Sequence, residues 1–143
     1  MFKKILSANP YIIAEIGANH NGNFKKALLL IKNAKKAGCN AVKFQSWDEN
    51  LNCLSYYKNN KKEYSEYVKY KLNYNQLKKL RKYAKQIKID FGTSPFSIKQ
   101  YNEAVSLKCD FIKIASMDLN NYYFLNQVSK SKISLIVSTG FAN

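Results

Sequence analysis

The chain has 143 residues, of which 46% are hydrophobic, and a formal net charge of +15. That length suits one domain, that apolar fraction supports a core and excludes wholesale disorder, and no apolar run is long enough to span a membrane. Cys39, Cys53 and Cys109 are too scattered for a zinc site or a disulfide framework. Met1-Phe2-Lys3-Lys4 opens no signal-peptide core, so a reducing, cytoplasmic setting is expected. The charge admits a nucleic-acid partner. However, Arg81 is the only arginine, and Lys, Asn, Tyr and Ile abound as AT-rich coding gives. The lysines sit between apolar helix positions rather than in one block, so solvated helix faces are expected, with no nucleic-acid or membrane partner.

The elements follow in chain order. Tyr11 to Gly17 predicts a strand with Ala14 and Ile16 on one face and Ile13 and Glu15 on the other. Ala18-Asn19-His20-Asn21-Gly22 is a turn-rich loop. From Phe24 the period changes: Ala27, Leu28, Ile31 and Ala34 recur at helical spacing, with Asn23 to cap the start and Gly38 to end the helix. Ala41 to Trp47 predicts a second strand, with Lys43 and Gln45 opposite Val42 and Phe44. The stretch from Asp48 to Asn73 is polar and tyrosine-rich, either a long loop or a loop carrying a helix over Lys61 to Lys69. Capping boxes at Asn73–Gln76 and Ser97–Gln100 open helices to Ile87 and Leu107. Further strands are expected at Ile89–Ser94, Phe111–Ser116 and Ser134–Thr139, with a short helix over Tyr122–Lys130.

Alternating strands and helices make the class α/β with a parallel sheet. A doubly wound sheet and a (β/α)₈ TIM barrel compete. The polar residues favour the barrel: Glu15, Lys43, Ser94, Lys113, Ser116 and Ser138 lie on or at the ends of five strands, where a doubly wound sheet would concentrate them on one or two. A barrel needs eight strands, and this chain supplies about five. Open edges and an exposed apolar interior are therefore expected. Lys43 and Lys113 each sit between apolar residues and point away from them, into the barrel. An unpaired ammonium there is costly. Either the lysines form buried ion pairs, for example Lys43 with Glu15, or they await an anionic ligand, and the second reading is preferred. Strand-end hydroxyls suit phosphate or carboxylate oxygens, and Gly140 lets backbone approach.

Five segments carry a family resemblance: IIAEIGANHNG at 12–22, AVKFQ at 41–45, SPFS at 94–97, FIKIAS at 111–116 and STG at 138–140. In this order and spacing the chain resembles the N-terminal part of the N-acetylneuraminate synthase family, the sialic acid synthases with their legionaminic and pseudaminic acid relatives. SPFS stands where TPFS is commoner, and KIASMDLNN where KIASGE is commoner. The resemblance implies a TIM-barrel transferase that condenses phosphoenolpyruvate with an N-acetylated amino sugar such as N-acetylmannosamine and releases phosphate. It implies phosphoenolpyruvate contacts at Lys43, Ser94, Lys113, Ser116 and Ser138, with Gln45 and Asn19 as further candidates, and a catalytic carboxylate at Glu15. It also implies a divalent metal, Mn or Mg, whose histidine ligands come from beyond residue 143; His20 is expected to structure its loop. The family's small antifreeze-like C-terminal domain is not among these 143 residues. The chain by itself is expected to be inactive, with a homodimer or a complementing C-terminal half as partner. Two other functions compete: a Schiff-base aldolase using Lys113, and a basic nucleic-acid-binding protein.

Overall fold

Strand and helix alternate along the chain in the computed structural model, which describes residues 9–46 and 59–140. The elements are β1 (Ile13–Gly17), α1 (Phe24–Lys36), β2 (Ala41–Ser46), α2 (Lys61–Lys69), α3 (Tyr74–Gln86), β3 (Asp90–Pro95), α4 (Ile98–Ser106), β4 (Phe111–Ile114), α5 (Tyr122–Ser129) and β5 (Ser134–Val137). The strands lie in the order β1-β2-β3-β4-β5, and each neighbouring pair is parallel. A doubly wound sheet reverses direction at a switch point. This sheet never reverses, which is the order of successive strands in a TIM barrel.

The starts of α1, α3 and α4 are capped by the predicted side chains. Asn23 accepts a hydrogen bond from the Lys26 amide at 3.0 Å. Asn73 and Gln76 exchange bonds of 2.9 Å in a complete capping box. The second box is only half formed. Ser97 accepts from the Gln100 amide at 3.3 Å, but Gln100 Oε1 accepts from Phe96, not from Ser97. Gln100 is buried, and its side chain turns back to the segment leaving β3. Strand ends also differ from the expected ones. Tyr11 and Ile12 precede β1, because the Ile12 amide is held by the Asn40 side chain instead of a ladder partner. Ser116 is not on β4 but opens a 3₁₀ turn, Ser116–Asp118. Thr139 lies past β5, and Trp47 and Cys53 fall outside the described residues.

Alternation along the strands separates two faces. Val42, Phe44, Phe91, Ile112 and Ile114 pack in one core with Ala27 and Ile31 of α1, Leu77 and Leu80 of α3, Ala104 of α4 and Phe124 of α5. The other face has a continuous row in register: Glu15 beside Lys43, Lys43 beside Gly92, Gly92 beside Phe111. Gly92 is required there. A Cβ at this position would stand 2.4 Å from the Phe111 ring, which covers the glycine and is fully buried. An exposed apolar interior was expected. On the described inner face Glu15, Lys43, Ser94 and Lys113 stand around that sealed aromatic, and Ile13 and Ile136, both half-buried, are its partly exposed apolar residues.

Candidate active site

The site is built on the inner face, toward the C-terminal ends of four strands. Glu15 of β1 bridges both strand lysines: Oε2 lies 2.8 Å from Lys43 Nζ and Oε1 lies 3.1 Å from Lys113 Nζ. Lys43 also donates to Ser94 Oγ at 3.2 Å. The expected convergence is therefore present for Glu15, Lys43, Ser94 and Lys113. The expected unpaired lysines are not, since both share one carboxylate. Register explains this: Glu15 and Lys43 are direct neighbours on adjacent strands, and the curvature of the sheet brings Lys113 across to the same acid.

Burial is uneven within the cluster. The Lys43 side chain is 4% exposed, that of Lys113 29%, and that of Glu15 50%. Burial lowers the Lys43 pKa, and the Glu15 hydrogen bond and charge act against it. Burial raises the Glu15 pKa, but the bonds and charges of Lys43 and Lys113 outweigh this and hold it below the ordinary glutamate value. Two ammonium groups face one carboxylate, so the cluster carries a net positive charge. Because Ser94 accepts from Lys43, its own proton is free to donate outward. Such a set has the donors and the charge that suit an oxyanion.

The remaining candidates sit around this cluster. Gln45 shares the inner face, with Oε1 3.5 Å from where a Cβ on Gly17 would be. Ser116 and Gly140 adjoin each other beyond the strand ends. The Ser138 amide donates to the Ile114 carbonyl at 3.1 Å, extending the β4–β5 ladder. Asn19 is exposed, and its amide closes a turn onto Ile16. Neither Ser116, Ser138, Gln45 nor Asn19 makes a described side-chain bond to the lysines.

His20 lies on the other side of the sheet. It is 1% exposed, its ring packs 5.8 Å from that of Phe44, and its Nδ1 accepts the Gly22 amide at 3.0 Å. Burial lowers its pKa, which the Gly17 carbonyl opposes and the Lys26 charge assists, so the ring is neutral at pH 7. Gly22 must be glycine: at φ +71° a Cβ would meet the Lys69 carbonyl oxygen at 1.7 Å. His20 thus orders the loop that docks on the end of α2. Cys109 is no nucleophile, since burial pushes its pKa up to about 12. Among the described residues no three His, Cys, Asp or Glu side chains gather to hold a metal. No helix among the described residues is long and apolar enough to cross a membrane. Sequence reasoning missed Gly92 and Phe111, which close the floor below Lys43. The available signal was a glycine in the middle of a strand.

Comparison with known proteins agrees with the fold. The profile of the NeuB family matches residues 30–143. The N-acetylneuraminate-9-phosphate synthase of Drosophila melanogaster is 35% identical over 91% of this chain and 37% of its own length. The N,N'-diacetyllegionaminic acid synthase of Campylobacter jejuni is 33% identical over 92% of this chain and 42% of its own. The chain thus spans about two fifths of the length of these curated relatives. Among solved structures, the N-acetylneuraminic acid synthetase of Leptospira borgpetersenii, in complex with citrate, superposes with a TM-score of 0.85 at 29% identity, over 94% of this chain and 46% of that one. A 3-deoxy-D-arabino-heptulosonate 7-phosphate synthase from Thermotoga maritima, at 13% identity and TM-score 0.67, is alike in fold alone.

Proposed function

The chain belongs to the NeuB family, and we propose that residues 1–143 are the N-terminal, phosphoenolpyruvate-binding part of a TIM-barrel nonulosonic acid synthase. The reaction condenses phosphoenolpyruvate with an N-acetylated amino sugar such as N-acetylmannosamine in its open aldehyde form. C3 of the enol attacks the aldehyde carbon, water adds at C2, and phosphate leaves by C–O cleavage. The observation that carries this reading is the convergence of Lys43, Lys113 and Ser94 on one inner-face site. The two ammonium groups match the phosphate and carboxylate of the substrate, and the Ser94 hydroxyl supplies a neutral donor. Phe111, fully buried against Gly92 in the same row as Lys43, adds an apolar neighbour on that side of the buried lysine, where charge contacts are stronger. Ser116 and Ser138 are assigned to phosphoenolpyruvate, with Gln45 and Asn19 as further candidates for its contacts. Glu15 is assigned to the attacking water, as the one carboxylate bonded within the cluster.

A divalent metal belongs to this chemistry as a Lewis acid toward the aldehyde. The described residues do not assemble a site for it, so no step is assigned to it here. The partner proposed is a second copy of the chain or a C-terminal half that completes the barrel, in the cytoplasm. A Schiff base at Lys113 is disfavoured, because that amine is engaged with Glu15 and imine formation needs it free and neutral. The basic side chains of α3, Lys78, Lys79, Lys82 and Lys85, are exposed on the helix and present no reading motif for nucleic acid.

Calorimetric titration with phosphoenolpyruvate tests the site. Binding that is lost in Lys43→Met is the expected result. A folded chain with no affinity for phosphoenolpyruvate overturns the proposal.

A further inference from the structure

Glu15 is in an unusual position for a residue that is to bind alongside an anion. It already occupies the lysines. Resting on the reading of this cluster as an anion site, we propose that Glu15 is its resident counter-anion. It holds Lys43 and Lys113 in place in the free protein and is displaced when a doubly charged oxyanion arrives. It therefore competes with the ligand.

Three observations support the exchange. The first is charge. Two ammonium groups against one carboxylate leave room for one more negative charge, so a dianion joining Glu15 overfills the site. A dianion replacing Glu15 balances it. The second is freedom of movement. Lys43 is 4% exposed and is also bonded to Ser94, so it stays. Glu15 is 50% exposed, and both of its described bonds go to the two lysines, so it leaves into solvent at little desolvation cost. β1 is bulged between Glu15 and Gly17, so the strand beside the acid is already released from regular pairing. The third is the need for an occupant. A buried ammonium with no counter-charge costs several kcal/mol, and among the described groups only Glu15 supplies that charge to Lys43.

The charged groups facing Glu15 are Lys43 from β2 and Lys113 from β4, while β3 presents the neutral Ser94. Two signatures follow. Without the carboxylate an anion no longer has a competitor, so it binds more tightly. Without it Lys43 also loses the partner that favours its charge, so binding fails at a lower pH as pH rises. On ligand entry the released carboxylate is freed at the moment when a base for the attacking water is needed.

Sulfate is a suitable probe, since its charge is constant from pH 5 to pH 9. At fixed ionic strength and pH 6.5, Glu15→Gln and Glu15→Ala are expected to bind sulfate at least about tenfold more tightly than the native chain. Their affinity is expected to fall away at lower pH than the native chain's on the alkaline side. Sulfate binding that is no tighter in either variant than in the native chain overturns the counter-anion role and leaves the anion site standing. Absence of both sulfate and phosphoenolpyruvate binding in native and variant chains overturns the site reading and this proposal together. Carbon NMR on the native chain decides the matter should both variants unfold. Sulfate is expected to shift the Glu15 carboxylate signal toward that of free glutamate, and an unmoved signal at saturating sulfate overturns the exchange.

Discussion

The two ends of the sheet each carry a polar network, and they are built oppositely. At the N-terminal ends every group is tied to a fixed partner. The Tyr11 hydroxyl donates to Asp90 at 2.5 Å, Arg81 pairs with Asp110 at 3.2 Å and with the Lys108 carbonyl at 2.9 Å, and Asp110 accepts the Phe91 amide at 2.8 Å. Backbone groups close that network. At the C-terminal ends, among the described residues, Glu15, Lys43, Lys113 and Ser94 bond to one another through side chains, with a positive charge left over. A closed network stabilises one conformation, whereas an open one keeps donors for a ligand. Barrels follow the same division, with chemistry at the C-terminal face and stability at the other.

Substitution at each end should separate the two roles. The largest effect is expected from Lys43→Met. Phosphoenolpyruvate affinity should fall by at least about a hundredfold, because a desolvated charge is removed from the contact. Stability to denaturant should change by less than about 1 kcal/mol or rise, since a buried ammonium is replaced by an apolar chain of similar length. A strongly destabilised Lys43→Met chain would make the C-terminal cluster structural too. Asp110→Ala should do the reverse. It strands the Phe91 amide and leaves Arg81 with the Lys108 carbonyl but no counter-charge, so urea unfolding should show a loss of about 1–3 kcal/mol with phosphoenolpyruvate affinity unchanged.

The pH dependence of stability should differ between the faces as well. The Tyr11 pKa is raised by burial and by Asp90, so its contribution is full below the ordinary tyrosine value of 10.0 and is lost as pH rises beyond it. Tyr11→Phe should flatten the alkaline fall in thermal midpoint at a cost of about 1 kcal/mol at neutral pH. The Glu15 pKa is lowered. Its contribution is present above the ordinary value of 4.5 and is lost as pH falls through the lowered one. The smallest expected change is at His20. Its pKa is also lowered, so the neutral ring favours the fold above pH 6.5 and stability begins to decline as pH falls below that value. His20→Gln should remove this first acid step from a plot of thermal midpoint against pH and leave the later Glu15 step.

Much of this was legible in the sequence because it is local. Asn23 and Asn73 cap helices through bonds to residues three positions on, so the pattern and the structure coincide. Ser97 shows the limit of that reasoning. Its spacing to Gln100 is right for a capping box, but burial of Gln100 redirects the return bond to Phe96. The faces of Lys43 and Lys113 followed from period-two alternation, which holds in any regular strand. What alternation left open was which group each lysine meets once there.

The sequence by itself determined the α/β class, the five strands, the side of the sheet on which the lysines lie and the membership that its motifs announce. Each depends on residues adjacent in the chain or on a fixed period. Only the tertiary structure decided that one carboxylate bridges two lysines, one of them 98 positions away, that Phe111 lies over Gly92, and that His20 packs on the opposite side against Phe44. Those contacts depend on strand register and sheet curvature. Both are set by how the whole core packs, and no local stretch of sequence contains them.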